Sequence, residues 1–99
     1  MVYFNRDIVC GSFIWDRDKE GSNIAKHGVD FETAAKVFFD PDRKIFKDQA
    51  HSDNEERYFC IGKAGERILT VRFTQRADKI RIIGAGYWRK GKWYYEREK

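Results

Sequence analysis

The chain has 99 residues, 41% hydrophobic and 16% aromatic, enough for one core without staples and too apolar for a disordered segment. Two cysteines, Cys10 and Cys60, make no disulfide framework, and neither a leader nor an apolar run of membrane-spanning length is visible, so a single domain in the reducing cytoplasm is expected. The net charge of +4 is uneven: residues 1–56 carry 8 Lys/Arg against 12 Asp/Glu, and residues 57–99 carry 12 against 4, so the second half either attracts a polyanion such as nucleic acid or forms a lopsided solvated surface.

Residues 1–12 have no clear period and read as an extra edge strand, with Val2 and Phe4, or as a loose arm. Phe13-Ile14-Trp15 reads as a short strand, and Asp16 stands where a helix cap is needed. Residues 17–26 suit a mostly polar surface helix, ended by Gly28 in a left-handed cap and weakened at Gly21 by about 1 kcal/mol relative to alanine. Lys19, Asn23 and Lys26 or His27 share one stripe of it. A second helix starts at the N-cap Asp30, with Val29 placed to staple onto Ala34. Phe31, Ala34, Ala35 and Phe38 form its apolar stripe, and Asp40-Pro41 stops it.

Lys44-Ile45-Phe46 is a short strand candidate, followed over residues 49–56 by a polar loop holding His51, Ser52, Asp53, Glu55 and Glu56. Residues 57–61 read as a strand ended by Gly62, with Ala64-Gly65 turning into the next. Residues 67–74 and 79–83, rich in β-branched side chains, form an antiparallel hairpin across the turn Gln75-Arg76-Ala77-Asp78. Alternation puts Leu69, Val71 and Phe73 on one face, against the second helix, and Ile68, Thr70, Arg72 and Thr74 on the other. Arg81 is flanked by Ile80 and Ile82, which point the opposite way. Arginine is rarely buried without a partner, so the arginine face meets either solvent or an anion. Gly84-Ala85-Gly86 reads as a flexible hinge. Residues 87–99 then read as a helix interrupted by Gly91 and dense in Tyr87, Trp88, Arg89, Lys90, Lys92, Trp93, Tyr94 and Tyr95.

The ordered set Trp15-Asp16, Lys19, Asn23, Lys26-His27-Gly28-Val29, Phe31, Ala34, Val37-Phe38 and Asp40-Pro41 resembles the BrnT toxins of bacterial type II toxin–antitoxin systems. The likeness continues through His51-Ser52, Glu55-Glu56-Arg57, Ile61-Gly62, Arg67, Leu69, Thr74, Arg76 and Ile80-Arg81-Ile82-Ile83, and so covers residues 13–83. It implies an α+β fold similar to that of the RelE toxins, a small antiparallel sheet with two N-terminal helices packed on it and a C-terminal helix. It also implies a metal-independent endoribonuclease that inhibits translation, with no cofactor. The implied partners are RNA, alone or on the ribosome, and a BrnA-type antitoxin whose ribbon-helix-helix part reaches operator DNA; no membrane is involved. One departure stands out. The family usually continues its last strand as Ile-Ser-Ala-Arg, and here the serine and arginine positions hold Gly84 and Gly86.

Cutting RNA without a metal needs a base for the 2′-hydroxyl, cations for the phosphate and a proton donor for the leaving oxygen. Arg72 and Arg81 suit the phosphate, since guanidinium binds it through two parallel hydrogen bonds, though carboxylates of the acidic half could claim both. His51 is the natural acid or base, or else makes a local hydrogen bond, and Thr74 completes the catalytic set. Arg76 in the turn, Tyr87, Arg89 and Lys90 in the tail, and Lys19 and Lys26 on the first helix are the substrate-binding set. His27 fits a helix-dipole role, while Glu55 and Glu56 serve as base or pair with Arg57. The tail aromatics either stack bases of single-stranded RNA or, through Trp88, Trp93 and Tyr94, anchor the tail to its own sheet or to the antitoxin, and packing is the expectation for the tryptophans. No zinc-ligand spacing is present. The competing function classes are a nuclease toxin, a catalytically silent antitoxin-binding and operon-regulating module, and a toxin aimed at another target such as DNA gyrase.

Overall fold

The computed structural model describes residues 6–52 and 54–97. Its strands are β1 (Asp7–Cys10), β2 (Phe13–Asp16), β3 (Lys44–Lys47), β4 (Arg57–Ala64), β5 (Arg67–Arg76) and β6 (Lys79–Gly86). Its helices are α1 (Arg17–His27), α2 (Phe31–Ala35) and α3 (Arg89–Arg97). The strands form one sheet in the order β1-β2-β6-β5-β4-β3. The class is α+β as expected, but the sheet is neither small nor purely antiparallel. It has six strands, and β2 runs parallel to β6 with Phe13 opposite Ile80 and Trp15 opposite Ile82. These partners are far apart in sequence, and such a pairing leaves no local signature.

The first strand lies at residues 7–10 and pairs antiparallel with β2, while Val2 and Phe4 fall outside the described residues. The central hairpin turn is tighter than its composition suggests. Arg76 still faces Lys79, so only Ala77 and Asp78 turn the chain, and Ala77 carries φ +53°. Gly84-Ala85-Gly86 is no hinge. It continues β6, with Gly84 opposite Arg72, Gly86 opposite Thr70, and Ile83 absorbing a bulge.

The helix punctuation reads as expected. Asp16 accepts hydrogen bonds from the N–H groups of Asp18 (2.7 Å) and Lys19 (3.0 Å), and Gly28 caps α1 at φ +69°. Asp30 caps α2 through the Thr33 N–H at 3.1 Å. The second helix tightens at Lys36 into a 3-10 turn, Lys36–Phe39. With three rather than 3.6 residues per turn the apolar face rotates, so Val37 is fully buried while Phe38 is only half-buried. Glu20 joins three elements: one oxygen accepts the Trp15 indole N–H (3.1 Å), the other the Phe31 N–H (2.9 Å).

The core lies on the predicted face. Leu69, Val71 and Phe73 pack with Trp15, Ile82, Phe31, Ala34 and Val37. Each large side chain buried here stabilises the fold by about 1.5–3 kcal/mol. Part of the opposite face is covered by α3, which runs unbroken through Gly91. Gly91 does not interrupt the helix. It permits close approach, since a Cβ there would collide with the Thr70 hydroxyl. Tyr95, fully buried, anchors α3 by donating its hydroxyl to Asp40 at 2.6 Å. Asp40, beyond stopping a helix, also accepts the Lys63 N–H at 2.7 Å and the Asp42 N–H at 2.8 Å.

Candidate active site

Beside α3, the arginine face of the sheet stays half-open around Arg57, Phe59, Arg72 and Arg81. The loop after β3 folds against it. The Asp48 N–H donates to the Arg57 carbonyl (2.7 Å), and Ser52 Oγ donates to the Asp48 carbonyl (2.7 Å) while accepting the Arg57 N–H (2.9 Å). These bonds seat the Asp48 carboxylate, 4% exposed, between a histidine ring and a guanidinium. His51 Nδ1 lies 3.1 Å from Asp48 Oδ2, and Arg72 Nε lies 3.3 Å from the same oxygen. The Arg72 contact is an ion pair whose Nε–H is not aligned as a hydrogen bond. A carboxylate facing Nδ1 selects the tautomer protonated there, which leaves Nε2 as the free acid–base atom. With its side chain 52% exposed, His51 can present that atom to a ligand.

Three cations picked from the sequence meet in a cleft of about 370 Å³. Lys19 and Lys26 reach it from α1, Arg72 from β5, with His27, Gly84 and Trp88 completing the wall. Among the described residues Asp18 is the one carboxylate in its lining. Asn23 builds this wall without being a ligand. Its amide donates to the Val29 (2.9 Å) and Ala85 (3.0 Å) carbonyls and accepts the Ala85 N–H (3.0 Å), acting as a strand partner for the end of β6. Gly84 and Gly86, which the resemblance sets against a serine and an arginine, differ in kind. A Cβ on Gly84 would make an ordinary 3.7 Å contact with Asn23, so a serine fits. A Cβ on Gly86 would lie 2.8 Å from the Trp88 indole, which occupies that space and meets the His27 ring edge-on at 5.4 Å.

His51 and Arg76 line a second cleft of about 410 Å³ with Asn54, Glu55 and Arg57. Arg76 sits at the end of a strand rather than in the turn, and its guanidinium grips Glu55 with two contacts of 3.3 Å. That hydrogen bonding holds the Glu55 carboxyl below its ordinary range, so Glu55 is a weak base. Glu56 is lowered likewise by Lys47, 2.7 Å away. Arg81 bonds Asp7 at 2.9 Å and is 16% exposed, which ties β1 to β6 across β2. Thr74 is buried, and its hydroxyl donates to the Glu56 carbonyl at 2.8 Å. Tyr87 lies under the Arg67 guanidinium, 3.6 Å from its ring centroid. Arg89 lines a third cleft of about 550 Å³, whereas Lys90 stands over Tyr94 and lines none of these clefts. Of the tail aromatics expected to pack, Trp88 does so on Gly86 and the His27 ring while Trp93 is 51% exposed, and the buried anchor is Tyr95.

Two residues of this site escaped sequence reasoning. Asp48 carries only the weak signal of a carboxylate three residues before His51, and the helical stripe that groups Asn23 with Lys19 and Lys26 gives no sign that Asn23 is buried. Burial pushes the Cys60 thiol up to about 12, which makes it inert as a nucleophile. Among the described residues no group of three or more His, Cys, Asp or Glu side chains is placed to hold a metal. Among the described residues no helix is long and apolar enough to cross a membrane.

The model of one family, the ribonuclease toxins of type II toxin–antitoxin systems, matches residues 15–91. The chain belongs to that family, BrnT. The match runs from the second half of β2 to the first turn of α3 and contains Asp48, His51, Arg72 and Trp88, while β1 lies outside it. A search of curated proteins finds no match. Membership of a type II system implies a protein antitoxin as partner.

Proposed function

We propose that this BrnT protein is a metal-independent endoribonuclease whose acid–base group is His51 and whose phosphate-binding cation is Arg72. The observation that carries the reading is the buried Asp48 carboxylate touching both. It orients His51 for proton transfer and holds Arg72 beside a cationic cleft. In this scheme His51 Nε2 takes the proton of a ribose 2′-hydroxyl, O2′ bonds to the adjacent phosphorus, and the bond from phosphorus to O5′ breaks. The leaving oxygen takes its proton from water, and Arg72, with Lys19 and Lys26, offsets the charge gathering on the phosphoryl oxygens. Arg76, Arg89 and Tyr87 guide the rest of the strand. Arg81 and Thr74 position the sheet beneath the site rather than touching substrate.

The cellular consequence is blocked translation in the cytoplasm, relieved by a BrnA-type antitoxin that alone contacts operator DNA. Expression without an antitoxin should arrest growth and fragment cellular RNA, and His51→Gln or Arg72→Ala should each restore growth. Arrest that persists in both variants would reject the assignment. The loss of serine and arginine at Gly84 and Gly86 favours a second reading, a silent antitoxin-binding module. That reading requires growth to be indifferent to the wild-type chain.

A further inference from the structure

The first and third clefts share one residue. The first cleft holds Lys19, Lys26 and Arg72, and the third holds Lys63, Arg67, Arg89 and Lys92 against two glutamates, so both are net cationic. Trp88 lines both and is the only residue that does. Its indole packs on Gly86, where any side chain would displace it, and is braced by the edge of His27. The indole is 39% exposed and borders both basic clefts. It has the layout of a single-strand binding track, with cations for the backbone on both sides of an aromatic platform for a base.

We infer that single-stranded RNA runs from the first cleft across Trp88 into the third, with one base stacked on the indole. This inference rests on the nuclease reading and deepens it, since it names the form of RNA taken and the side chain that selects it. Bases paired in a duplex have no free face to offer, so duplex RNA is excluded. Gly86 is then part of the substrate track: its missing side chain is what lets the platform sit there. The antitoxin is the competing occupant of these clefts, but the four cations of the third cleft suit a polyanion better than a mixed protein surface.

The test uses the full-length protein and single-stranded 2′-deoxy oligonucleotides, which lack the attacking hydroxyl and stay intact. In a Trp93→Phe background the indoles left are buried Trp15 and exposed Trp88, so fluorescence reports the Trp88 surface. Binding of a probe of about eight nucleotides should quench that fluorescence, and a duplex of the same sequence should not. Trp88→Ala should weaken probe binding about ten-fold, and Trp88→Phe should recover most of it, as expected for one base–aromatic stack. Lys63→Ser with Lys92→Ser should weaken the long probe but not one of about three nucleotides. Unquenched fluorescence on binding, or equal affinity for wild type and Trp88→Ala, would overturn the track. So would a Trp88→Ala protein that binds the probe normally but loses its antitoxin. If the track fails while wild type still cuts RNA, the nuclease reading stands. Quenching by the probe without RNA cleavage, either with ribosomes or without them, rejects the nuclease and keeps the track.

Discussion

Asn23 shows how much one side chain can carry. Its amide satisfies both backbone groups of Ala85 and the Val29 carbonyl in a buried position. Asn23→Asp keeps the acceptor and turns a carboxylate oxygen toward two carbonyls. It should cost about 1–3 kcal/mol or more, read as a lower urea midpoint with an unchanged slope. An unchanged midpoint would show that the amide is not needed there. Helical period placed Asn23 correctly beside Lys19 and Lys26, at the cleft, but its burial was invisible because Ala85 lies 62 residues away. Asp48 was hidden for a similar reason, since it lies in a loop and its partner Arg72 belongs to β5. The arginines were legible as chemistry, and their alternatives divided them: Arg81 took a carboxylate of the acidic half, while Arg72 reaches a cleft as well.

Among the elements, α3 is held at two points that sequence reading took for breaks. Asp40 was read as a helix stop and Gly91 as an interruption, yet both serve to seat α3 on the sheet. Glycine signals close approach and weak helix equally, and only the neighbouring surface separates the two. Gly91→Ala should therefore destabilise the protein by about 1–3 kcal/mol, although alanine favours a helix by about 1 kcal/mol over glycine. A higher melting temperature for that variant would refute the close approach.

The Tyr95–Asp40 bond adds a pH signature. Burial, and then the bond to Asp40, push the Tyr95 phenol from its ordinary 10.0 up to about 12. A raised folded value means that this stability is complete below pH 10 and is lost as the pH climbs toward about 12. Burial raises the Asp40 carboxyl, but the hydrogen bonds from Tyr95, Lys63 and Asp42 outweigh it and the net shift is downward. Its contribution is therefore present above 3.8 and lost as the pH falls below that value. Thermal melts of Tyr95→Phe should lack the alkaline loss seen in wild type, and melts of Asp40→Asn should show a shallower acid limb. Parallel curves for wild type and both variants would contradict the tether.

For the molecule as a whole, one sheet face makes the core and the other is shared between α3 and open basic clefts. The predicted alternation of β5 already contained this division, and the core residues followed from it. The six-strand order and the parallel β2–β6 pair did not, because they depend on chain ends meeting through space. The charge asymmetry along the sequence also translated only in part: Asp7, Asp48 and Glu55 neutralise arginines of the basic half. What remains uncompensated is local and should be visible in the salt dependence of binding. Each cation contacting a single strand adds about 0.7 to the slope of log affinity against log salt, so Lys19→Ser with Lys26→Ser should reduce that slope by about 1.4. A slope unchanged by the double substitution would remove α1 from the RNA surface.

The decisive measurement is cleavage of an end-labelled RNA in EDTA, with and without ribosomes, by wild type, Arg72→Ala, His51→Gln and Arg81→Ala. Wild type should cut, Arg72→Ala and His51→Gln should each fall by about 100-fold or more, and Arg81→Ala should fall less, in step with its loss of stability. Equal cleavage by wild type and Arg72→Ala, or activity that vanishes in EDTA, would contradict a metal-free site built on the Asp48 pair.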